Sequence, residues 1–362
     1  MGLGSFVHEK GNKLIGYIKL KRLFLRKGEF RKSHPELVKL WEHKFRQMIR
    51  YSSERTFPIV DEFLNAEIVK VKDAEKFPNK KELILVCALK DDVDKMRYFM
   101  DHYRKLGVCN FVFLDNGSTD GTFEFLLEQP DAIVYRCDHA FTADRKIAWV
   151  NRLIAEYGIN RWYLMVDSDE FFTYLGQDKH DINELIRRAE SKGYKRLGVV
   201  HLDMYPKGQL FGQGNTDDFI ETYCYFDKDT YSYEKTPRGM KIVGGPRKRV
   251  FGTNMKVSGY RFVYFEKDDV VPSAHFMIPY EKSYGVPVTF VSLHYKFVNE
   301  SDYIKMIEAV QTGMHSNNSE EYKTYYRVLK ENREISLFDE NHSEICTEGN
   351  LREISFVEDI FA

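Results

Sequence analysis

The run Arg161-Trp162-Tyr163-Leu164-Met165-Val166-Asp167-Ser168-Asp169-Glu170-Phe171-Phe172 constrains this chain more than any other. A mostly apolar stretch ends on two carboxylates spaced i, i+2, and aromatic residues resume at once. The apolar part reads as a buried strand, and a strand that ends in acids carries them to a sheet edge. Ligands of open α/β sheets sit in the crevice beyond such strand ends. Two adjacent carboxylates repel, and one stays protonated unless something positive lies between them. A divalent cation with hard oxygen ligands, Mg²⁺ or Mn²⁺, meets that need and often bridges to substrate phosphates. A plain acidic turn after a strand is the blander reading.

The preceding chain alternates strand and helix signals. Leu83–Leu89 reads as a buried strand. A helix with an apolar face from Val93 to Leu106 follows, stopped by Gly107. Phe111–Leu114 and Ala132–Arg136 read as strands, Phe123–Glu128 and about Ala143–Tyr157 as helices. This β-α-β-α-β-α-β order predicts a mostly parallel sheet flanked by helices, an α/β fold. Three regions are expected: a basic, mainly helical extension over 1–80, the α/β domain over 81–300, and a helical region with an acidic tail over 301–362.

Net charge is −1 over 362 residues, so no global attraction to nucleic acid is expected. Locally the balance is uneven. Residues 10–32 hold nine basic side chains against Glu29 alone, interleaved with Leu14, Ile15, Ile18, Leu20, Leu23, Phe24 and Leu25. A basic amphipathic helix of this kind can lie on an anionic membrane surface, or simply pack on the domain. Ser33-His34-Pro35-Glu36 predicts a capped helix running to about Arg50, and 51–80 reads as a connector with a short strand at 66–71. Ser319 is expected to cap a late helix, and the acids beyond Asp339 to be loosely ordered or to fold back onto the basic N-terminus.

The five cysteines are odd in number and form no C-x-x-C, which fits reduced core cysteines in a reducing compartment. No run of 18 apolar residues and no signal-peptide pattern is visible. A cytoplasmic protein, with a place at the inner face of a membrane, is the corresponding expectation.

Three further stretches carry candidate chemistry. Asp115-Asn116-Gly117-Ser118-Thr119-Asp120-Gly121-Thr122 turns tightly where a strand meets a helix. The Asp115 carboxylate at that strand end can accept the imide N–H of a uracil ring, although an Asx turn alone would use the same residues. Pro246-Arg247-Lys248-Arg249-Val250-Phe251 reads as a strand with Arg247 and Arg249 on one face, able to grip a diphosphate or merely to charge an edge strand. Gly244-Gly245 before it suggests a movable loop. Tyr223, Tyr225, Phe226, Tyr231 and Tyr233 suggest a sugar-stacking insert or an aromatic hairpin.

Residues 114–122 resemble the D-D-G-S-x-D-G-T turn of family 2 glycosyltransferases, with Asn116 in place of the second acid. Asp167-Ser168-Asp169 stands where that family keeps its D-x-D. His102, Leu106, Gly107 and Val108, the D-N-G-S-x-D-G-T turn, and Asp169-Glu170-Phe171 together resemble one branch of it. The likeness spans about residues 83–300 and implies a GT-A fold. It also implies a nucleotide-diphosphate sugar donor, UDP-linked by preference, a Mn²⁺ or Mg²⁺ ion, and transfer with inversion to a hydroxyl of a glycan or lipid-linked acceptor in surface polysaccharide synthesis. By that resemblance Asp167 and Asp169 hold the metal, with His294 of His294-Tyr295-Lys296 as third ligand and His275 as its rival. Asp91, Asp115, Asn116, Arg145, Lys146, Asp167, Arg247, Arg249 and Lys296 would face the nucleotide. The catalytic base falls to Asp203 or to Asp218 of the Asp217-Asp218 pair, since the family's E-D pair is missing. A nucleotidyltransferase would want a Gly-rich basic loop after the first strand, where Lys90-Asp91-Asp92 stands instead. A non-catalytic scaffold is the remaining alternative.

Overall fold

The computed structural model describes residues 3–26, 28–51, 55–76, 78–79, 82–211, 219–315 and 319–362, with side chains from residue 13 onward. The chain is mixed α/β, its sheet strands mostly parallel and flanked by helices, as the alternating pattern predicts. It divides into two compact units that interleave along the sequence.

The first unit comprises 1–93, 109–165 and 264–282. Its strands are β1 (Val69–Lys72), β2 (Ile84–Leu89), β3 (Phe111–Asp115), β4 (Ala132–Arg136) and β5 (Arg161–Met165), in spatial order β1-β4-β3-β2-β5. β2, β3, β4 and β5 pair in parallel, and β1 closes the edge antiparallel to β4. β2, β3 and β5 are buried at every position, which is why they read as continuous apolar runs rather than alternating ones. Helix Ala143–Tyr157 starts on Thr142, whose hydroxyl accepts the Arg145 N–H.

Two expectations fail in this unit. Ser33 caps nothing: it is the last residue of the short helix Glu29–Ser33, its hydroxyl donates back to the Glu29 carbonyl, and the next helix starts only at Val38. The supposed connector holds a helix, Thr56–Asn65, which buries Ile59, Val60, Phe63 and Leu64.

The second unit comprises 94–108, 166–263 and 283–362. β6 (Glu170–Tyr174) and β7 (Arg196–Asp203) flank the strand Val288–His294, β6 antiparallel and β7 parallel, and the strand Ser258–Phe265 pairs antiparallel with β7. The register sets His294 opposite both Glu170 and Asp203. Helices Glu300–Thr312 and Glu320–Glu331 pack through Tyr303, Met306, Tyr325 and Leu329 into a cluster with Tyr205, Phe251 and Phe297. The aromatic insert forms a hairpin, Tyr231–Thr236 with Gly239–Gly244, and Tyr231 and Tyr233 pack on Phe356.

Four expectations are corrected here. Pro246–Phe251 is a helix, because Pro246 stands at its first turn and Gly245 (φ 81°) turns the chain into it. Arg247 and Arg249 therefore do not share a strand face. Gly244 and Gly245 serve close approach rather than a loose loop: a Cβ on Gly244 would lie 2.3 Å from the Thr230 carbonyl oxygen. Ser319 lies at φ 57° with no side-chain cap bond. The acidic tail is ordered within its own unit, burying Leu351, Ile354, Phe356, Val357 and Ile360, with the Glu358 N–H on the Val288 carbonyl. All five cysteines are free, but only Cys87 and Cys137 are buried.

Candidate functional site

β5 runs into a tight acidic turn. The Asp167 N–H donates to Glu170 Oε2 at 3.0 Å, and the Glu170 N–H returns to the Asp167 carbonyl at 3.1 Å. Asp169 keeps about a quarter of its side chain exposed, and its Oδ2 lies 3.3 Å from His294 Nε2. His294 Nδ1 lies 2.7 Å from Asp203 Oδ1. Asp203 Oδ2 accepts from Arg247 Nε at 2.7 Å, and Arg247 Nη1 donates to Glu321 Oε1 at 2.7 Å and to the Tyr325 hydroxyl at 3.3 Å. The Tyr325 hydroxyl in turn donates to Glu321. An ordered relay thus runs Asp169–His294–Asp203–Arg247–Glu321.

The electrostatics follow from that order. Burial alone would raise the Asp169 and Asp203 carboxyls. His294, with Lys95 and Lys296 more distantly, outweighs it at Asp169, and Arg247 and His294 outweigh it at Asp203, so both are held well below the usual range. Burial would lower His294, but its two carboxylate neighbours push it up to about 9.

Beside the relay lies a second group. Arg261 Nη1 is 3.4 Å from Asp167 Oδ1, and its Nη2 is 3.2 Å from Glu170 Oε1, which also lies 3.4 Å from His201 Nδ1. Burial pushes Glu170 up to about 7, Arg261 opposes this, and Asp167 and Asp169 add to the rise.

Asp169 and His294 bring two candidate ligand atoms together, held here as an ion pair. A ligating histidine characteristically gives its other ring nitrogen to a carboxylate, which fixes the tautomer, and Asp203 does this for His294. The ligand atoms of the expected trio Asp167, Asp169 and His294 do not all lie within 4.8 Å of one another, and Arg261 Nη1 stands 3.4 Å from the Asp167 carboxylate.

Among the described residues, the group of three ligand atoms that does converge within 4.8 Å is Glu62, Cys137 and His139, in the first unit. There Glu62 already accepts from Trp149 Nε1 at 2.7 Å, meets His139 Nδ1 at 2.9 Å, and pairs with Arg145 Nε at 3.3 Å. The group could hold a metal ion, and its carboxylate is already engaged by these three side chains.

The other predicted residues are distributed as follows. Asp115 is fully buried at the end of β3. Its Oδ1 accepts the N–H groups of Gly117 and Ser118 at 3.1 Å each, while its Oδ2 has no hydrogen-bond partner among the described residues. Asn116 does not offer its amide to the turn but donates to the carbonyls of Cys137 and His139. Asp91 (φ 53°) accepts the Thr119 N–H at 2.6 Å and so braces the same loop. Arg145 spends its guanidinium on Glu62 and the Ala140 carbonyl, and Lys146 lies beside it in the first turn of the helix. These five belong to the first unit, as does His275.

In the second unit, Lys296 Nζ donates to the Tyr322 hydroxyl at 3.1 Å. Arg249 grips the fully buried Asp227 with Nε at 3.0 Å and Nη2 at 2.8 Å. Asp218 lies outside the described residues.

Sequence reasoning passed over Arg261, His201, Glu321 and Tyr325. The only sequence signal for the first two is a basic or imidazole side chain inside an otherwise apolar strand run, Ser258–Phe265 and β7 respectively.

Fold and site together define a mixed α/β chain with a carboxylate–histidine relay at the ends of β7 and the strand Val288–His294. No family model and no curated protein matches the chain. Among solved structures it is similar to the crystal structure of S. aureus TarS 1-349, at 10% identity over 69% of this chain and 73% of that one, with a TM-score of 0.29. It is also similar to apo UDP-glucose pyrophosphorylase, at 7% identity over 68% and 98%, with a TM-score of 0.30.

Proposed function

We propose that the chain is a nucleotide-sugar enzyme of GT-A type, a metal-dependent glycosyltransferase. It moves a sugar, UDP-linked by preference, to a hydroxyl of a glycan or lipid-linked acceptor, with inversion and in surface polysaccharide synthesis. The observation that carries this reading is the pairing of Asp169 with His294 immediately after β5, with the far nitrogen of His294 tied to Asp203. Asp169 and His294 would hold Mn²⁺ or Mg²⁺, with Asp167 completing the acidic turn. A cation there neutralises charge on the departing diphosphate.

This chain's own residues supply the rest. The unpartnered Oδ2 of Asp115 is a buried acceptor suited to the imide N–H of uracil. Asp203 has both oxygens occupied and its carboxyl held low, so it orients His294 rather than taking protons. Of the two bases read from the sequence this leaves Asp218, which lies outside the described residues. Arg247 keeps Asp203 ionised, and Arg249 holds Asp227.

The test is a thermal-shift screen of nucleotide sugars with Mn²⁺, since a ligand that binds only the native state raises the melting temperature. An assay of nucleoside-diphosphate release follows, for wild type and Asp169→Ala, with Mn²⁺ or EDTA. Metal-dependent release lost in Asp169→Ala is expected. Equal release with and without metal, or no shift with any nucleotide sugar, overturns the proposal. Nucleoside triphosphate formed from the sugar nucleotide and pyrophosphate assigns nucleotidyl transfer instead.

A further inference from the structure

The N-terminal helix Leu3–Leu25 has two unlike faces. Gly16, Leu20 and Phe24 are buried toward the helices Val38–Tyr51 and Thr56–Asn65, and Gly16 sits so close that a Cβ there would lie 3.0 Å from Ile49. On the other side Leu14, Ile15, Ile18 and Leu25 are 61, 65, 47 and 63% exposed. At about 100° per residue these four, with Lys21 and Arg22, fall within an arc of about 120°. An exposed helix face normally carries polar residues, and a row of large aliphatic side chains there marks a surface that meets something apolar.

The charge around the row is one-sided. Residues 13–26 hold Lys13, Lys19, Lys21, Arg22 and Arg26 and not one carboxylate. Beside the row, Tyr17, Ile18 and Lys21 line a cavity of about 380 Å³ with His43, Arg46 and Arg50 of the neighbouring helix. Two acids touch this rim: Glu42 pairs with Arg46 at 2.6 Å and Asp268 with His43 at 2.8 Å. Lys21 and Arg50 still leave it cationic. No described helix is long and apolar enough to cross a membrane.

We propose that this face docks in the plane of an anionic phospholipid bilayer. The aliphatic row enters the headgroup–acyl boundary, and the cationic cavity takes a lipid phosphate. A face that carries aliphatic side chains together with Lys21 and Arg22 can bind such surfaces through both. A second copy of the chain would bring like charges together along the same rim. The proposal is independent of the sugar-transfer reading.

Flotation of the full chain tests it, with vesicles of phosphatidylcholine alone and of equal parts phosphatidylcholine and phosphatidylglycerol. Co-flotation only with phosphatidylglycerol is expected, weakened when salt shortens the Debye length from about 10 to about 3 Å. Ile15→Glu/Ile18→Glu changes exposed positions, and is expected to keep the wild-type melting temperature and lose about tenfold or more of the vesicle binding. Lys21→Ala/Arg22→Ala removes charge alone and is expected to lose binding in the same sense, which keeps the test open should the first variant fold poorly. No flotation with phosphatidylglycerol, or flotation that both variants leave unchanged, overturns the proposal. So does a concentration-dependent dimer, dissolved by Ile15→Glu/Ile18→Glu, in a chain that does not float.

Discussion

His294 and Asp203 sit opposite each other on parallel strands, Nδ1 to Oδ1 at 2.7 Å. The contact turns the other ring nitrogen, Nε2, toward Asp169 Oδ2 at 3.3 Å. Asp203→Asn keeps the shape and removes the charge that holds the ring. Partners of this kind change metal affinity or activity by about ten- to a hundredfold when removed. The Mn²⁺ concentration needed for half-maximal sugar transfer is expected to rise accordingly, and an unchanged Mn²⁺ requirement would show that Asp203 orients nothing.

Arg249 separates a ligand contact from a structural one. Its partner Asp227 is fully buried and also accepts from Tyr205 and Thr230. Removing one member of a buried pair costs about 3–5 kcal/mol, so Arg249→Ala is expected to lower the urea midpoint sharply. A stable variant with a raised KM for the donor would restore the diphosphate role read from the sequence.

Gly244 stands at φ 128° with the Thr230 carbonyl where a Cβ would go. Gly244→Ala is expected to cost about 1–3 kcal/mol or more from strain and contact together, read as a fall in melting temperature. Were these glycines a flexible hinge, alanine would leave stability nearly unchanged and slow turnover instead.

Lys44 gives a pH signature in the first unit. Its Nζ donates to the Glu266 carbonyl at 2.7 Å and the Asp269 carbonyl at 2.8 Å, close to the Phe265 ring. Burial lowers it from 10.5 to about 7, against the pull of Asp269 and Asp268. Between those two values the unfolded chain binds the extra proton, so this group makes stability rise with pH across that window, by up to about 1.4 kcal/mol per unit. Below about pH 7 both states are charged and the full penalty applies. Lys44→Met is expected to abolish the rise. Identical denaturation profiles for both proteins between pH 7 and pH 10 would contradict the assignment.

The strands β2, β3, β4 and β5 and the helix Ala143–Tyr157 were legible along the chain, because a covered strand must be largely apolar and a packed helix repeats its apolar residues every three or four positions. The acidic turn at Asp167–Asp169 was legible for the same reason: charge abruptly follows a run that cannot tolerate it. Pro246–Phe251 misled, since three basic residues suit a strand or a helix equally, and the choice lay with Gly245 and the packing beneath Phe251.

Residue types and their local spacing therefore determined the element sequence and nominated Asp169 and Asp115, while His294 came from the family resemblance. Strand register decided which of the candidates meet. It set His294 between Glu170 and Asp203, while Arg261 meets Asp167 of the turn and the helix Pro246–Phe251 brings Arg249 to Asp227. Pairings between residues 40 or 90 positions apart depend on how distant strands align, and no local pattern encodes that alignment.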